Sequence, residues 1–312
     1  MARLRSILAW GAVWIGLVIG GYAPAWADPL ICNFCRRQIT GAYLVFDGRN
    51  LHEGCYNNHY AQYCGLCRAE ISGQYMFNSW GDTVCAVHVG EYPSCEYCDR
   101  LVAPQLTGPG VQYDDGRHVC GVCESNAVTE AADVRLLLDS VKQMLAAWGI
   151  TSDRELELVT IDKTRMLDVN SELGQEAWAY TDFKQTVSFF GLWKSERIRI
   201  YVLSRMPRVI LRSVLAHEFM HVWLFTHAPL DMDPTLCEGS CEYAGRLVLS
   251  GLKDPYVEFL DEAQEKSDDL VYGVGFRSVR DYIRRVGAAA WLDYLRTHST
   301  PPWLRATRTP DR

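Results

Sequence analysis

The sequence predicts two architectures in series: small β-rich modules, cross-linked rather than core-packed and repeated three times in tandem, and then an α+β domain whose C-terminal part is mostly helical. Three observations predict this. Ten of the twelve cysteines fall between Cys32 and Cys123, each paired across two residues with another cysteine or with a histidine. From Glu130 onward that spacing gives way to apolar residues at helical intervals. One long helical run in the second half carries His217-Glu218-Phe219-Met220-His221.

Composition agrees with a folded chain of about two domains. Of 312 residues, 48% are hydrophobic and 22% charged. The 31 basic and 38 acidic side chains leave a net charge of −7, and no segment shows the basic excess of a nucleic-acid binder, so no nucleic-acid partner is expected.

The N-terminus reads as a signal peptide over residues 1–27. Arg3 and Arg5 precede an uncharged, mostly apolar stretch from Ile7 to Tyr22, and Ala25-Trp26-Ala27 supplies a small-x-small cleavage site. The expectation is export to the periplasm or beyond the cell, with no stable membrane span after cleavage.

Residues 28–125 hold the modules, at about 32–55, 64–88 and 95–123. Their ligand sets are Cys32, Cys35, His52 and Cys55; Cys64, Cys67, Cys85 and His88; and Cys95, Cys98, Cys120 and Cys123. The two halves of each set are separated by 16, 17 and 21 residues. Four soft or borderline ligands are what tetrahedral Zn²⁺ takes. The intervening sequence also repeats. Ile39-Thr40-Gly41-Ala42-Tyr43 matches Ile71-Ser72-Gly73-Gln74-Tyr75, and Asp47-Gly48-Arg49 matches Asp115-Gly116-Arg117. In the aligned repeats a His replaces a Cys in two ligand slots, which metal tolerates and a disulfide does not. Units this short have almost no core, so the ion supplies folding free energy. With all four positions filled by protein, three structural zincs are expected. Aromatic and glycine residues near Tyr43, Phe46, Gly48, Tyr75, Phe77 and Gly81 fit short hairpins.

Residues 130–298 form the second domain. Val134, Leu137, Leu138, Val141, Leu145 and Trp148 predict its first helix. Glu155–Ile161 and Glu196–Leu203 alternate like strands, and Asp182–Phe190 reads as another helix. Pro207 opens the long helix. Its HExxH places two imidazoles at i and i+4 on one face, able to hold one Zn²⁺, with Glu218 beside them to handle a water's proton. A third ligand should come from the helix that Asp233-Pro234 opens toward Leu249. Glu238 is preferred, with Gly239 allowing close helix approach and Glu242 holding a ligand histidine from behind; the reverse assignment of the two carboxylates stays open. This is a zincin-type arrangement. Cys237 and Cys241 read as small packing residues. Val279, Ile283 and Val286, then Trp291 and Leu295, predict two closing helices, and a loose tail follows at residues 299–312.

Two resemblances sharpen the picture. The first two cysteine sets resemble the first and second fingers of LIM domains, although eight residues separate Cys55 from Cys64 and a third finger follows. The second domain resembles the peptidase domain of the DA1 family, through Met206-Pro207-Arg208, Val214–Leu224, Cys237-Glu238-Gly239-Ser240-Cys241-Glu242 and Tyr272-Gly273-Val274-Gly275-Phe276-Arg277. The resemblance implies a bacterial-type exported member of a zinc metallopeptidase family. It places Glu238 on a family glutamate, and puts Cys237 where the family has another. It offers Tyr272 or Arg277 as the donor to a developing oxyanion. Plant members respond to ubiquitin inside the cell, but no ubiquitin-interacting segment is present here and no ubiquitin partner is expected.

The expected activity is hydrolysis of peptide bonds in exported or envelope proteins. One catalytic zinc would be held by His217, His221 and Glu238, with Glu218 as the catalytic base. The strand Ile198–Leu203 is the expected substrate wall, and the finger modules would recognise substrate or a protein partner. The alternatives are a non-catalytic adaptor that uses its LIM-like modules to bind protein, or a hydrolase of another amide or ester.

Overall fold

A computed structural model of the chain describes residues 9–12, 15–18, 29–171, 177–187 and 194–305. The expected cleavage site at Ala25-Trp26-Ala27 and residues 306–312 of the expected tail lie outside them. Within the expected signal peptide, β1 (Ala9–Ala12) and β2 (Ile15–Val18) are short strands. They pair antiparallel with finger hairpins further along the chain, β1 with residues 74–77 and β2 with residues 43–46.

Each finger begins with the same backbone device. The residue after the second cysteine, Arg36, Arg68 or Asp99, takes a positive φ near 60°. That turn lets its N–H reach back to the carbonyl of Cys32, Cys64 or Cys95 at 3.0, 2.9 and 3.1 Å. The first cysteine's N–H closes the loop on Arg37, Ala69 or Arg100. A hairpin then delivers the second ligand pair. In the first finger β3 (Tyr43–Phe46) and β4 (Arg49–Leu51) are joined by Asp47-Gly48, both at positive φ, as a twisted two-residue turn requires. Helix α1 (Glu53–His59) follows and carries Cys55. In the second finger β5 (Gln74–Phe77) and β6 (Thr83–Cys85) are joined by a loop closed on Asn78, which accepts from the N–H groups of Trp80 and Asp82. The third finger holds α2 (Pro104–Thr107), β7 (Val111–Gln112), β8 (His118–Val119) and α3 (Gly121–Ser125).

Beyond β9 (Ala127–Val128), α4 (Ala131–Ala146) buries Val134, Leu137, Leu138, Val141 and Leu145 as its sequence predicts, but Trp148, expected on the same face, lies past the helix end and is exposed. β10 (Leu156–Ile161), β11 (Ala179–Val187) and β12 (Lys194–Leu203) form one mixed sheet in the order β10-β12-β11, and α5 (Lys163–Val169) follows β10. β12 is central, parallel to β10 and antiparallel to β11. The helix expected over Asp182–Phe190 is therefore strand as far as Val187; residues 188–190 lie outside the described part. Alternating Thr181, Phe183 and Gln185 pair with β12 from Ala179↔Val202 onward, and that pairing overrides the local apolar spacing.

After β13 (Met206–Pro207), α6 (Arg208–His227) runs through the core with Phe219 and Trp223 fully buried. Then come α7 (Pro234–Leu247), α8 (Pro255–Lys266), α9 (Gly273–Val286) and α10 (Ala288–Thr297). α7 is capped by Asp233, whose side chain accepts from the Thr235 N–H at 2.9 Å. Among the described residues no helix is long and apolar enough to cross a membrane.

The third finger is continuous with this body. Cys95, Tyr97, Cys98, Val119, Cys120 and Cys123 belong to the same buried cluster as α4, α6 and the sheet; the second finger's cluster takes in Leu101 and Ala103 of the third, and the first finger keeps a small cluster of its own.

Candidate metal centres and cleft

All twelve cysteines are free of disulfides. In the first finger the ligand atoms of Cys32, Cys35, His52 and Cys55 lie within 4.8 Å of one another. His52 turns Nδ1 toward Cys35 at 3.4 Å and Cys55 at 3.9 Å, and its Nε2–H reaches the Gln38 carbonyl at 3.2 Å. That contact leaves Nδ1 as the ring atom able to hold metal. In the second finger Cys64, Cys67 and Cys85 converge. His88 faces Cys67 and holds its thiol down to about 7, while that thiolate and Glu91 lift His88 to about 9. In the third, all four thiols are buried and converge, with Cys98 and Cys120 sulfurs 3.7 Å apart. Tetrahedral zinc with thiolate bonds near 2.3 Å needs sulfurs about 3.8 Å apart, and a disulfide needs about 2.05 Å. Backbone N–H groups of Cys85 and Cys120 point at Cys64 and Cys95 sulfurs at 3.4 and 3.3 Å, as they do toward thiolates. These clusters are compatible with zinc-binding modules.

A fourth constellation lies where α6 and α7 meet. The i, i+4 spacing on α6 brings His217 Nε2 and His221 Nε2 to 3.2 Å. Glu238, in the first turns of α7, places Oε2 3.3 Å from the first and 3.6 Å from the second. Three ligands bound at about 2.1 Å to one tetrahedral ion stand about 3.4 Å apart, so the three separations suit zinc. Glu238 Oε2 is buried and makes no well-aligned hydrogen bond among the described residues, despite the two ring nitrogens beside it; a cation between the three atoms would satisfy it. Electrostatics agree. Burial disfavours charge on both partners, yet Glu238 lifts His221 well above its ordinary value and His221 holds Glu238 well below the carboxylate range.

The surroundings divide the work. Glu242 lies behind His217, Oε1 3.4 Å from Nδ1, and the Gln264 amide donates to its other oxygen. Behind His221 the neighbour is sulfur: Cys237 Sγ is 3.8 Å from Nδ1. Cys241 is fully buried, with Sγ within 4.8 Å of nitrogens of both imidazoles. Glu218 is 2% exposed and accepts a 2.6 Å hydrogen bond from the Thr181 hydroxyl on β11. Thr181 was not singled out in the sequence; it lies 37 residues before its partner, and no local pattern connects them.

These groups open into a cavity of about 490 Å³ lined by Glu218, His221, Glu238, Cys237 and Tyr272 and by the apolar Phe183, Phe225 and Leu230. Phe225 stacks between Phe183 and His221 at 5.1 and 6.1 Å. Of the two late-motif residues, only Tyr272 reaches the cavity. Burial, then the nearby carboxylates led by Glu238, keep its phenol protonated. Arg277 does not line it: its guanidinium donates to the carbonyls of Gln264, Glu265 and Ser267 at 2.8, 3.2 and 2.9 Å, at the end of α8. The expected wall strand is corrected as well. β12 is central in the sheet, so β11, at the edge, faces the cleft. Gly239 allows close approach, but to α9: a Cβ there would meet the Gly275 carbonyl carbon at 2.5 Å.

Residues 124–252 match the DA1-like family model, described as Protein DA1. The chain is 23% identical to Protein DA1-related 7 of Arabidopsis thaliana, over 81% of this chain and 56% of that protein. It is 21% identical to Protein DA1 of the same plant, over 82% and 60%, and 21% identical to the LIM domain-containing protein HDR3 of Oryza sativa subsp. japonica, over 70% and 50%. The chain thus spans about half the length of these curated relatives. They support the DA1 family and come from plants; none supports a bacterial-type exported member. No solved structure matches.

Proposed function

We propose that this chain is a zinc-dependent peptidase. The observation that carries the reading is the triangle of His217 Nε2, His221 Nε2 and Glu238 Oε2, with sides of 3.2 to 3.6 Å, set in a cleft beside the buried carboxylate of Glu218. His217, His221 and Glu238 would hold the ion, which supplies Lewis acidity and lowers the pKa of water. Glu218, oriented by Thr181, takes the attacking water's proton and returns it to the departing amide nitrogen. Tyr272 presents a neutral hydroxyl to the cleft and is the donor for the developing oxyanion. β11 offers an extended substrate its outer edge, since β12 pairs with its inner one. Phe183, Phe225 and Leu230 favour an apolar side chain near the scissile bond.

The three finger clusters would hold structural zinc, for four ions per chain. The first finger, with a cluster separate from the main body, presents a surface for a protein substrate or partner. The N-terminal pattern supports an exported protein. Elemental analysis beside a peptide-cleavage assay tests the core of this reading. Wild type should hold four zincs, His217→Ala and Glu238→Ala three, and Glu218→Gln four with turnover reduced about 10²- to 10⁴-fold. Undiminished turnover in Glu218→Gln, or an unchanged zinc count in His217→Ala, would overturn it.

A further inference from the structure

One helix touches both the third finger and the cleft centre. α8 buries Tyr256, Phe259, Leu260, Ala263 and Gln264, a single stripe at helical spacing. At its first turn the Tyr256 hydroxyl donates to Cys123 Sγ, a third-finger ligand atom, at 3.1 Å. Trp80 of the second finger packs against Tyr256 and Phe259, with ring centroids 5.1 and 5.2 Å away, and donates Nε1–H to the Cys98 carbonyl at 3.0 Å. Two helical turns further on, about 12 Å along the axis, Gln264 is 1% exposed and donates to Glu242, which stands behind His217. Arg277 clamps the carbonyls at that end and fixes where Gln264 sits.

We propose that α8 is a strut joining the third finger to the His217 side of the centre, with Tyr256 and Gln264 as its positioning residues, so that metal retention in the cleft depends on the finger cluster being in place. This rests on reading His217, His221 and Glu238 as zinc ligands. The Tyr256 hydroxyl has its acceptor in place only while Cys123 is held within the four-sulfur cluster. Losing the finger's ion frees Cys123, then the first turn of α8, and with it the register of Gln264 against Glu242. Partners that orient a ligand histidine from behind typically account for 10- to 100-fold in metal affinity.

The test follows zinc release from the full-length, zinc-loaded chain into a chromogenic chelator. The release phase missing in His217→Ala identifies the cleft ion. Gln264→Leu should speed that phase about tenfold or more. Tyr256→Phe, which removes only a hydroxyl remote from the cleft, should speed it severalfold. Cys32→Ser, in the separate first finger, should leave it unchanged. A Tyr256→Phe chain that loses finger zinc faster while the cleft phase holds its wild-type rate would overturn the strut. Equal acceleration of every phase would do so too, because it would mark general loosening. If wild type has no phase that His217→Ala removes, the cleft-zinc reading itself fails, and that result is distinguishable from the other two.

Discussion

The hydroxyl of Thr181 makes the sharpest residue-scale argument. A carboxylate that must take a proton from one direction and deliver it in another has to be held, and Thr181 holds Glu218 at 2.6 Å from the strand across the cleft. Thr181→Val keeps shape and removes the donor. A hydrogen bond to a charged group is worth about 1.5–3 kcal/mol, so on the proposed mechanism turnover should fall about 10- to 100-fold with zinc content unchanged. Steady-state kinetics beside elemental analysis decides it; unaltered kcat would mean Glu218 is held by other means. The histidines and Glu218 were legible in the sequence because i, i+4 spacing is local. Glu238 was legible because a capped helix follows at the right distance. Thr181 and the true place of Arg277 were not, since both depend on where distant elements end.

At the scale of elements, α7 decides the geometry of the cleft, and two glycine contacts decide α7. Gly239 lies against Gly275 of α9, and Gly245 against Ser213 of α6. Gly239→Ala would drive a methyl to 2.5 Å from a backbone carbonyl carbon and 2.6 Å from its oxygen, neither of which can rotate aside. The expected cost is about 1–3 kcal/mol, together with displacement of the adjacent Glu238. Melting curves and chelator competition should show a lower midpoint and weaker cleft zinc; a variant matching wild type in both would show that α7 and α9 can part without consequence. The helical runs of α4, α6 and α7 were readable from apolar period and caps. The nature of β11 was not, because its apolar residues satisfy either period until β12 lies beside it. α8 was missed for a related reason: its stripe includes Gln264, a polar residue buried by its pairing with Glu242.

Across the whole molecule, the junction between third finger and body is polar as well as apolar. Arg117 donates to the Ser204 carbonyl at 2.8 Å and is held in turn by Asp115 at 2.8 Å. Asp115 also accepts the Lys163 N–H at 2.8 Å. Burial works against its charge, but the Lys163 and Arg117 N–H groups and the guanidinium outweigh it and keep the carboxyl below its usual range. A carboxylate depressed in the folded state contributes stability above its unfolded pKa, near 3.9, and loses it as pH falls through the folded value. The stability gap between wild type and Asp115→Asn should therefore be constant from neutrality down to about pH 5 and shrink below about pH 4. Denaturant titrations across that range check it, and a gap independent of pH would remove Asp115 from the junction's energetics. The repeat of cysteine spacing made three modules readable; that the third shares its core with the body was not, because ligand spacing carries no information about what covers the outside of a module.

That shared core has a practical consequence for anyone trimming the chain. The stretch matched by the family model, 124–252, ends before α8 and α9 and begins after all four thiols of the third finger. Cut to those limits, it would bare the flanks of α6 and α7 and strand Glu242 without its amide partner. The smallest piece expected to stay in solution starts ahead of Cys95 and runs through α10.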